Sequence, residues 1–407
     1  MKVTDIREQF PILSTKVYGK NLVYFDNAAT SQRPRSVIDK WNTLTAQYNA
    51  NIHRGVHRLA EVATDEYETT RDVVRDFLNA EHREEIVFTS GTTASINLVA
   101  FSFGEAFVRE GDEVIVSEAE HHSNIVPWQM MCQRKKAVLK VIPIDDFGYL
   151  KIDKLNKLIT DRTRIVAVTQ ISNVLGIINP VEDIIKLCHS RNVPVLVDGA
   201  QGVVHGGIDV RKSDCDFYVF SGHKMYAATG VGVLYGKKKW LDEIPPYMGG
   251  GEMISSVKFS GTTYADIPEK FEAGTQNFAS VPTLKPAIEM MKMMQDSEIQ
   301  SELDAVNEFL YKQLTENENI TLYGVPRGTI SKIPLFSFSV KGVHHEDLAL
   351  ILDKMGIASR SGQMCAEPVM ERFGVTGMIR VSLAPYNTMA EAEYFIKSLD
   401  KAISMLL

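Results

Sequence analysis

A primary amine, a carboxylate and a thiol stand out by their settings. Lys224 lies just past an apolar run in SGHKMYAATGVGVLYG, preceded by Ser221, Gly222 and His223 and followed by a glycine-punctuated strand. A lone lysine is nearly always a solvated surface charge, so its partners decide its meaning. Asp198 closes the run VPVLVDGAQ, one helix-and-strand excursion before Lys224. A carboxylate at the end of a buried strand is costly unless paired. A protonated pyridine nitrogen is a suitable partner, because that ion pair keeps the ring electron-poor and able to accept carbanion charge. The plainer reading of Asp198 is a cap on a turn or helix. Cys365 sits in ASRSGQMCAEP, a polar, glycine-containing turn that is a poor setting for a core cysteine. A loop thiol beside two arginines is easier to ionise, and the thiolate is the nucleophile.

Other residues can complete a site around the amine. In SGTTASIN, Gly91, Thr92 and Thr93 join an apolar strand to a helix, where free N–H groups, hydroxyls and the helix dipole suit a phosphate. Alone, GTT is a weak motif and reads first as an ordinary threonine N-cap. His121 follows VIVSEAE, and an imidazole can lie flat on a pyridine ring and handle protons at neutral pH. Asn173 in VTQISNVLG and Gln201 in DGAQG can hydrogen-bond a phenolic oxygen on that ring, and Ser221 and His223 add phosphate contacts.

The elements that must carry these groups are legible as a rhythm. Short β-branched runs recur from Tyr24 to Tyr235, separated by helical patterns such as VEDIIKLCHSRN, whose Val181, Ile184, Ile185 and Cys188 share a face. Several runs are apolar throughout and turn polar at the carboxyl end, as expected of strands covered on both faces whose carboxyl ends open on a ligand crevice. The expected fold is α/β, with a mainly parallel sheet in a large domain at 21–281. From about Pro282 the texture changes to long helical patterns with a few strands, LFSFSV and MIRVSLA, which predicts a smaller α+β domain at 282–407. Residues 1–20 are expected to pack with the small domain, and the stretch from Tyr247 to Tyr264 reads as a loop at the edge of the site.

The 407 residues, 44% hydrophobic and 23% charged, describe a folded chain long enough for two domains. A net charge of -7 argues against nucleic acid as a main partner. No apolar run approaches the ~20 residues needed to cross a bilayer and no signal peptide is evident, so the expected location is the cytoplasm. Cys132, Cys188, Cys215 and Cys365 show no metal or disulfide spacing, and the first three lie in apolar or amphipathic stretches where an inert thiol is expected.

Lys224, Asp198, the GTT turn and His121 each follow a different strand at its carboxyl end, where one ligand can touch all four. Together with YFDNAAT, NIHRGVHRLAEVAT, EAEHHSNIVPWQ, GGGEMI, FEAGTQN, RSGQMCAEPVM and IRVSLAPYNT, in order from Tyr24 to Thr388, they make the chain resemble the SufS-like (group II) cysteine desulfurases and their selenocysteine lyase relatives. These are class V enzymes of the fold-type I group that use pyridoxal 5'-phosphate (PLP). The resemblance implies that Lys224 carries the cofactor covalently, Asp198 pairs its pyridine nitrogen and His121 stacks on its ring. Thr92, Thr93, Ser221 and His223 would then hold the phosphate, joined by Thr275 of a partner subunit, so a homodimer is implied. Arg380 would grip the substrate carboxylate, with Arg360, Asn173 and His53 on the substrate side, and Cys365 would receive the sulfur of L-cysteine as a persulfide. A SufE- or SufU-like acceptor protein and iron–sulfur cluster assembly are implied as partner and pathway. The alternatives are selenocysteine lyase, another class V lyase or aminotransferase, and a scaffold that has lost catalysis. Two departures stand in the chain. Gln363 and Met364 replace the usual histidine pair before Cys365, and Gln276 replaces the proline of FEAGTPN.

Overall fold

The computed structural model describes residues 2–325 and 332–407. Its centre is a seven-stranded sheet built from β1 (Ile86–Thr89), β2 (Glu113–Ser117), β3 (Val138–Ile142), β4 (Thr163–Thr169), β5 (Val195–Asp198), β6 (Phe217–Ser221) and β7 (Gly232–Gly236). The spatial order is β1-β7-β6-β5-β4-β2-β3, and every neighbouring pair is parallel except β7, which runs against both β1 and β6. The carboxyl ends of β1 to β6 therefore share one edge. Successive side chains point to opposite faces of a strand. Val195, Val197, Tyr218 and Phe220 enter one core, while Leu196, Phe217 and Val219 enter the other. Burial on both faces explains the unbroken apolar runs in the sequence.

The stretch after Tyr247, expected as a loop, contains a solvent-exposed hairpin, β8 (Ile254–Lys258) with β9 (Gly261–Tyr264). The second sheet is antiparallel and four-stranded: β10 (Ile320–Tyr323), β11 (Leu335–Val340), β12 (Arg360–Gly362) and β13 (Met378–Ser382), in the order β10-β11-β13-β12. Helices Ser297–Glu316, His345–Lys354 and Met389–Leu406 supply its core through Leu310, Leu352, Phe395 and Leu399 against Phe336 and Phe338. The last helix starts at a capping box in which Thr388 and Glu391 satisfy each other's backbone N–H groups.

The seam between the two halves differs from the expected boundaries. Helix Leu284–Met294 buries Leu284, Ala287, Ile288 and Met291 in the core of the large sheet, so that core runs past Pro282. Val3, Ile6 and Phe10 join the same core, while Arg7 reaches the small half through Glu391 at 2.8 Å. Val23–Tyr24, which shares the strand-like texture of the large-sheet runs, pairs instead with Ile357–Ala358. Local pattern fixes a strand's period but not the sheet it joins. Among the described residues no helix is long and apolar enough to cross a membrane.

Candidate active site

Lys224 ends a single turn, Gly222–Lys224, directly after β6, and faces a cavity of about 220 Å³ at the carboxyl edge of the large sheet. Burial pushes its amine pKa down to about 8, with Asp198 opposing and Arg380 reinforcing that shift. Asp198, the last residue of β5, is buried, and burial raises its carboxyl pKa. One oxygen accepts the N–H of Ala200 at 2.9 Å, and no cation of the described residues forms an ion pair with it. A buried carboxylate facing a cavity without its own cation fits a cationic ring nitrogen.

The turn after β2 is built on a carboxyl that sequence reasoning missed. Glu120 is fully buried, bonded to the Ser117 hydroxyl, to Asn124 Nδ2 at 2.7 Å and to the N–H of Thr169 at 2.9 Å, while Trp128 Nε1 donates to Asn124 at 2.9 Å. Burial raises its pKa to about 8. This network fixes His121, whose Nδ1 accepts the N–H of Ser123 at 3.1 Å, leaving Nε2 as the protonated nitrogen. Burial and the Lys224 charge push the His121 pKa down to about 4, so the ring is neutral at pH 7.

The GTT turn is pressed against the sheet. A Cβ on Gly232 would lie 2.3 Å from Gly91 Cα, and Gly91 itself has φ +153°. The contact brings the start of helix Thr92–Phe107 onto Ser221, whose Oγ accepts the Thr92 N–H at 2.8 Å and meets Thr92 Oγ1 at 2.7 Å. Thr93 Oγ1 meets Ser123 Oγ at 2.8 Å. His223 lines the same side, neutral because burial lowers its pKa to about 4. Hydroxyls at the amino end of a long helix make a cradle for a phosphate.

The opposite wall comes from the small half. β12 and β13 pair Arg360 with Arg380. Arg380 donates through Nη1 to the carbonyl of Asn173 at 2.7 Å and through Nη2 to Asp26 at 3.2 Å, while Arg360 lies 3.6 Å from the same Asp26 carboxylate. Asp26, in YFDNAAT, went unnoticed in the sequence. Two guanidiniums and one carboxylate leave a surplus positive charge, and Arg380 Nε is buried without a hydrogen-bond partner. That donor suits a substrate carboxylate.

Cys365 is exposed and lines the same cavity. Met364 and Cys365 both have φ 54°, a left-handed conformation that costs non-glycine residues roughly 1–3 kcal/mol each. Asn173 Nδ2 donates to the Met364 carbonyl at 2.8 Å, and the Met364 side chain is buried beside Tyr149, Val174 and Ile177. Gln201 Nε2 likewise donates to a main-chain carbonyl, that of Ala28, at 2.7 Å. The other cysteines are buried, which raises the Cys132 pKa to about 11 and those of Cys188 and Cys215 to about 12.

Thus Thr92, Thr93, His121, Asn173, Asp198, Gln201, Ser221, His223, Lys224, Arg360, Cys365 and Arg380 line one cavity. Thr275 and His53 do not. Thr275 lines a neighbouring cavity of about 250 Å³ with Tyr67, Ser90 and Tyr247. The loop that carries it is tied down at Glu272, which accepts from Arg71 at 2.8 Å, Tyr67 at 2.9 Å and the N–H of Phe88 at 2.7 Å, all buried. His53 holds Glu68 at 3.1 Å, and that hydrogen bond raises its pKa.

A parallel-sheet domain with a lysine, a buried aspartate and a phosphate cradle at its carboxyl edge is the arrangement of a cofactor-dependent α/β enzyme. The chain belongs to the aminotransferase class-V family, whose model matches residues 23–395. Members of that family generally depend on PLP. Over 407 residues, all of both chains, it is 42% identical to a probable cysteine desulfurase of Vibrio cholerae. Its fold is similar to the crystal structure of the cysteine desulfurase CsdA from Escherichia coli, with a TM-score of 0.91 and 38% identity over the whole of each chain. It is also similar to a cysteine desulfurase of Thermococcus onnurineus, with a TM-score of 0.92 and 36% identity, covering 99% of this chain and 98% of that one.

Proposed function

We propose that this chain is a cysteine desulfurase that converts L-cysteine to L-alanine and takes the sulfur as a persulfide on Cys365. The observation that carries the reading is the shared cavity: the Lys224 amine, the Arg380 guanidinium with its unpartnered Nε and the exposed Cys365 thiol all line it. The residues fit PLP: Lys224 would hold the aldehyde, Asp198 the ring nitrogen and His121 the ring, while Thr92, Thr93, Ser221 and His223 would hold the phosphate. When bound, that cofactor supplies an electron sink for charge formed at the substrate α-carbon.

The chain's own groups do the rest. Arg380, aided by Arg360, binds the α-carboxylate and orients the amino acid. Lys224 serves as the base for the α-proton, its pKa of about 8 leaving part of the amine neutral near pH 7. His121, protonated on Nε2, is a proton donor toward the cavity. The Cys365 thiolate attacks the substrate sulfur, so that an S–S bond forms, the Cβ–S bond breaks and its electron pair stays on carbon. Protonation there, and return of the α-proton from Lys224 to the α-carbon, give alanine.

The fuller reading adds a cytoplasmic homodimer, with Thr275 completing the partner's phosphate site, and delivery of the persulfide sulfur to a SufE- or SufU-like acceptor for iron–sulfur cluster assembly. Its support is that Thr275 lies outside the cavity of its own chain. Incubating the PLP-loaded protein with L-cysteine and a reducing thiol should release alanine and sulfide in equal amounts. Absence of alanine, with the cofactor bound, rejects the assignment.

A further inference from the structure

The turn that carries the thiol is held by a residue of the large half that the mechanism leaves unused. The backbone N–H of His122 donates to the Cys365 carbonyl at 2.7 Å, and its ring Nε2 accepts the N–H of Glu367 at 3.0 Å. These two bonds straddle Ala366 and grip the chain just where Met364 and Cys365 leave ordinary φ. His122 in turn belongs to the short turn His122–Asn124, which is anchored through Asn124 to buried Glu120 and Trp128. The same turn places His121 against the Lys224 side of the cavity and Ser123 against Thr93. Three consecutive residues, His121 to Ser123, therefore touch the cavity wall, the thiol turn and Thr93.

We infer that His122 is the positioning residue of the nucleophile, its unprotonated Nε2 holding the Cys365 turn at the distance from which sulfur is taken. The inference rests on the desulfurase reading. It assigns to a residue of the large half what the Gln363–Met364 pair beside the thiol cannot supply: Met364 offers no imidazole and is packed into the apolar cluster under the turn. Because His122 touches neither the amine nor the arginines, it acts on the sulfur-transfer step and not on amino-acid binding.

The test compares His122→Phe, which keeps a ring of similar size without an acceptor, with His122→Gln, whose side-chain oxygen can stand where Nε2 stands. Both are assayed as PLP-loaded protein against L-cysteine and L-selenocysteine. Selenium leaves carbon more readily than sulfur, so selenocysteine cleavage depends less on the thiol. The Phe variant should lose about tenfold in kcat on L-cysteine, the scale of one lost hydrogen bond. Its KM, cofactor absorbance and selenocysteine rate should stay within twofold of wild type, and the Gln variant should recover most of the loss. Full cysteine activity in the Phe variant overturns the inference. So does an equal loss in both variants, or a Phe loss that extends in proportion to selenocysteine, because each marks a merely structural role. Should the Phe variant lose its cofactor or fail to fold, the Gln variant decides: near-normal cysteine activity upholds the acceptor role and a deficit rejects it. Wild type that makes no alanine overturns the underlying reading, and the inference falls with it.

Discussion

Arg360 and Arg380 face each other across two antiparallel strands and share one carboxylate, Asp26, at 3.6 and 3.2 Å. Like charges directly opposite on a sheet repel, and a single carboxylate between them leaves one positive charge to satisfy. Burial raises the Asp26 pKa even against both guanidiniums. The pair is thus arranged to receive a second carboxylate. Replacing Arg380 by lysine keeps the charge but removes the planar fork. Arg380→Lys should raise KM for L-cysteine about tenfold or more with a smaller change in kcat, measured by steady-state alanine release.

Cys365 should be the only thiol that reacts in the native protein. Three cysteines are buried with pKa values raised to about 11 or 12, and Cys365 is exposed. Titration with a thiol reagent should modify one cysteine quickly in the folded state, and four after denaturation. Cys365→Ala should keep the cofactor absorbance and lose cysteine desulfuration, while selenocysteine cleavage persists. Full activity on cysteine would remove the thiol from the mechanism.

The Arg71–Glu272 pair is buried on both sides and also satisfies Tyr67 and the backbone of Phe88. Removing one partner strands a buried charge, at a cost of about 3–5 kcal/mol. Glu272→Ala should lower the denaturant midpoint accordingly, measured by urea unfolding of the purified protein.

Acid should destabilise the cofactor-free fold before most carboxylates titrate. His121 and His223 have folded pKa values lowered to about 4 by burial, against about 6.5 in the unfolded chain. The unfolded state then binds more protons across that interval, so stability is lost as pH falls from 6.5 toward 4. Glu120, raised to about 8, acts with the opposite sign and withdraws stability as pH rises from 4.5 through 8. Where the two windows overlap the two histidines outweigh the one carboxyl, so urea midpoints should rise as pH is raised from 4 to about 6.5. A flat or falling profile over that interval would show that these groups do not govern the pH response.

Much of this site was legible because its groups lie where strands end. Lys224, Asp198, His121 and Thr92 each follow an apolar run, and a parallel sheet brings such ends to one edge. What escaped notice depends on partners far apart in the chain. Asp26 is recognisable as an anchor only once β13 brings Arg380 beside it, and Glu272 only once helix Arg58–Leu78 delivers Arg71. Glu120 and His122 sit in the quoted EAEHHSN, yet a glutamate in a polar stretch gives no sign that it will be sealed inside. The hairpin β8–β9 lacks any buried face, so alternation could not betray it. Thr275 and His53, by contrast, were drawn from motif likeness, and neither reaches the Lys224 cavity of its own chain.

The cavity is divided by the sheets that supply its walls. Amine, aspartate and threonines stand on the seven-stranded sheet, whereas Arg360, Cys365 and Arg380 hang from the four-stranded one. The buried amine and aspartate thus belong to one sheet and the exposed thiol to the other, so a change confined to the Gln363–Met364 turn leaves the floor of the cavity unaltered.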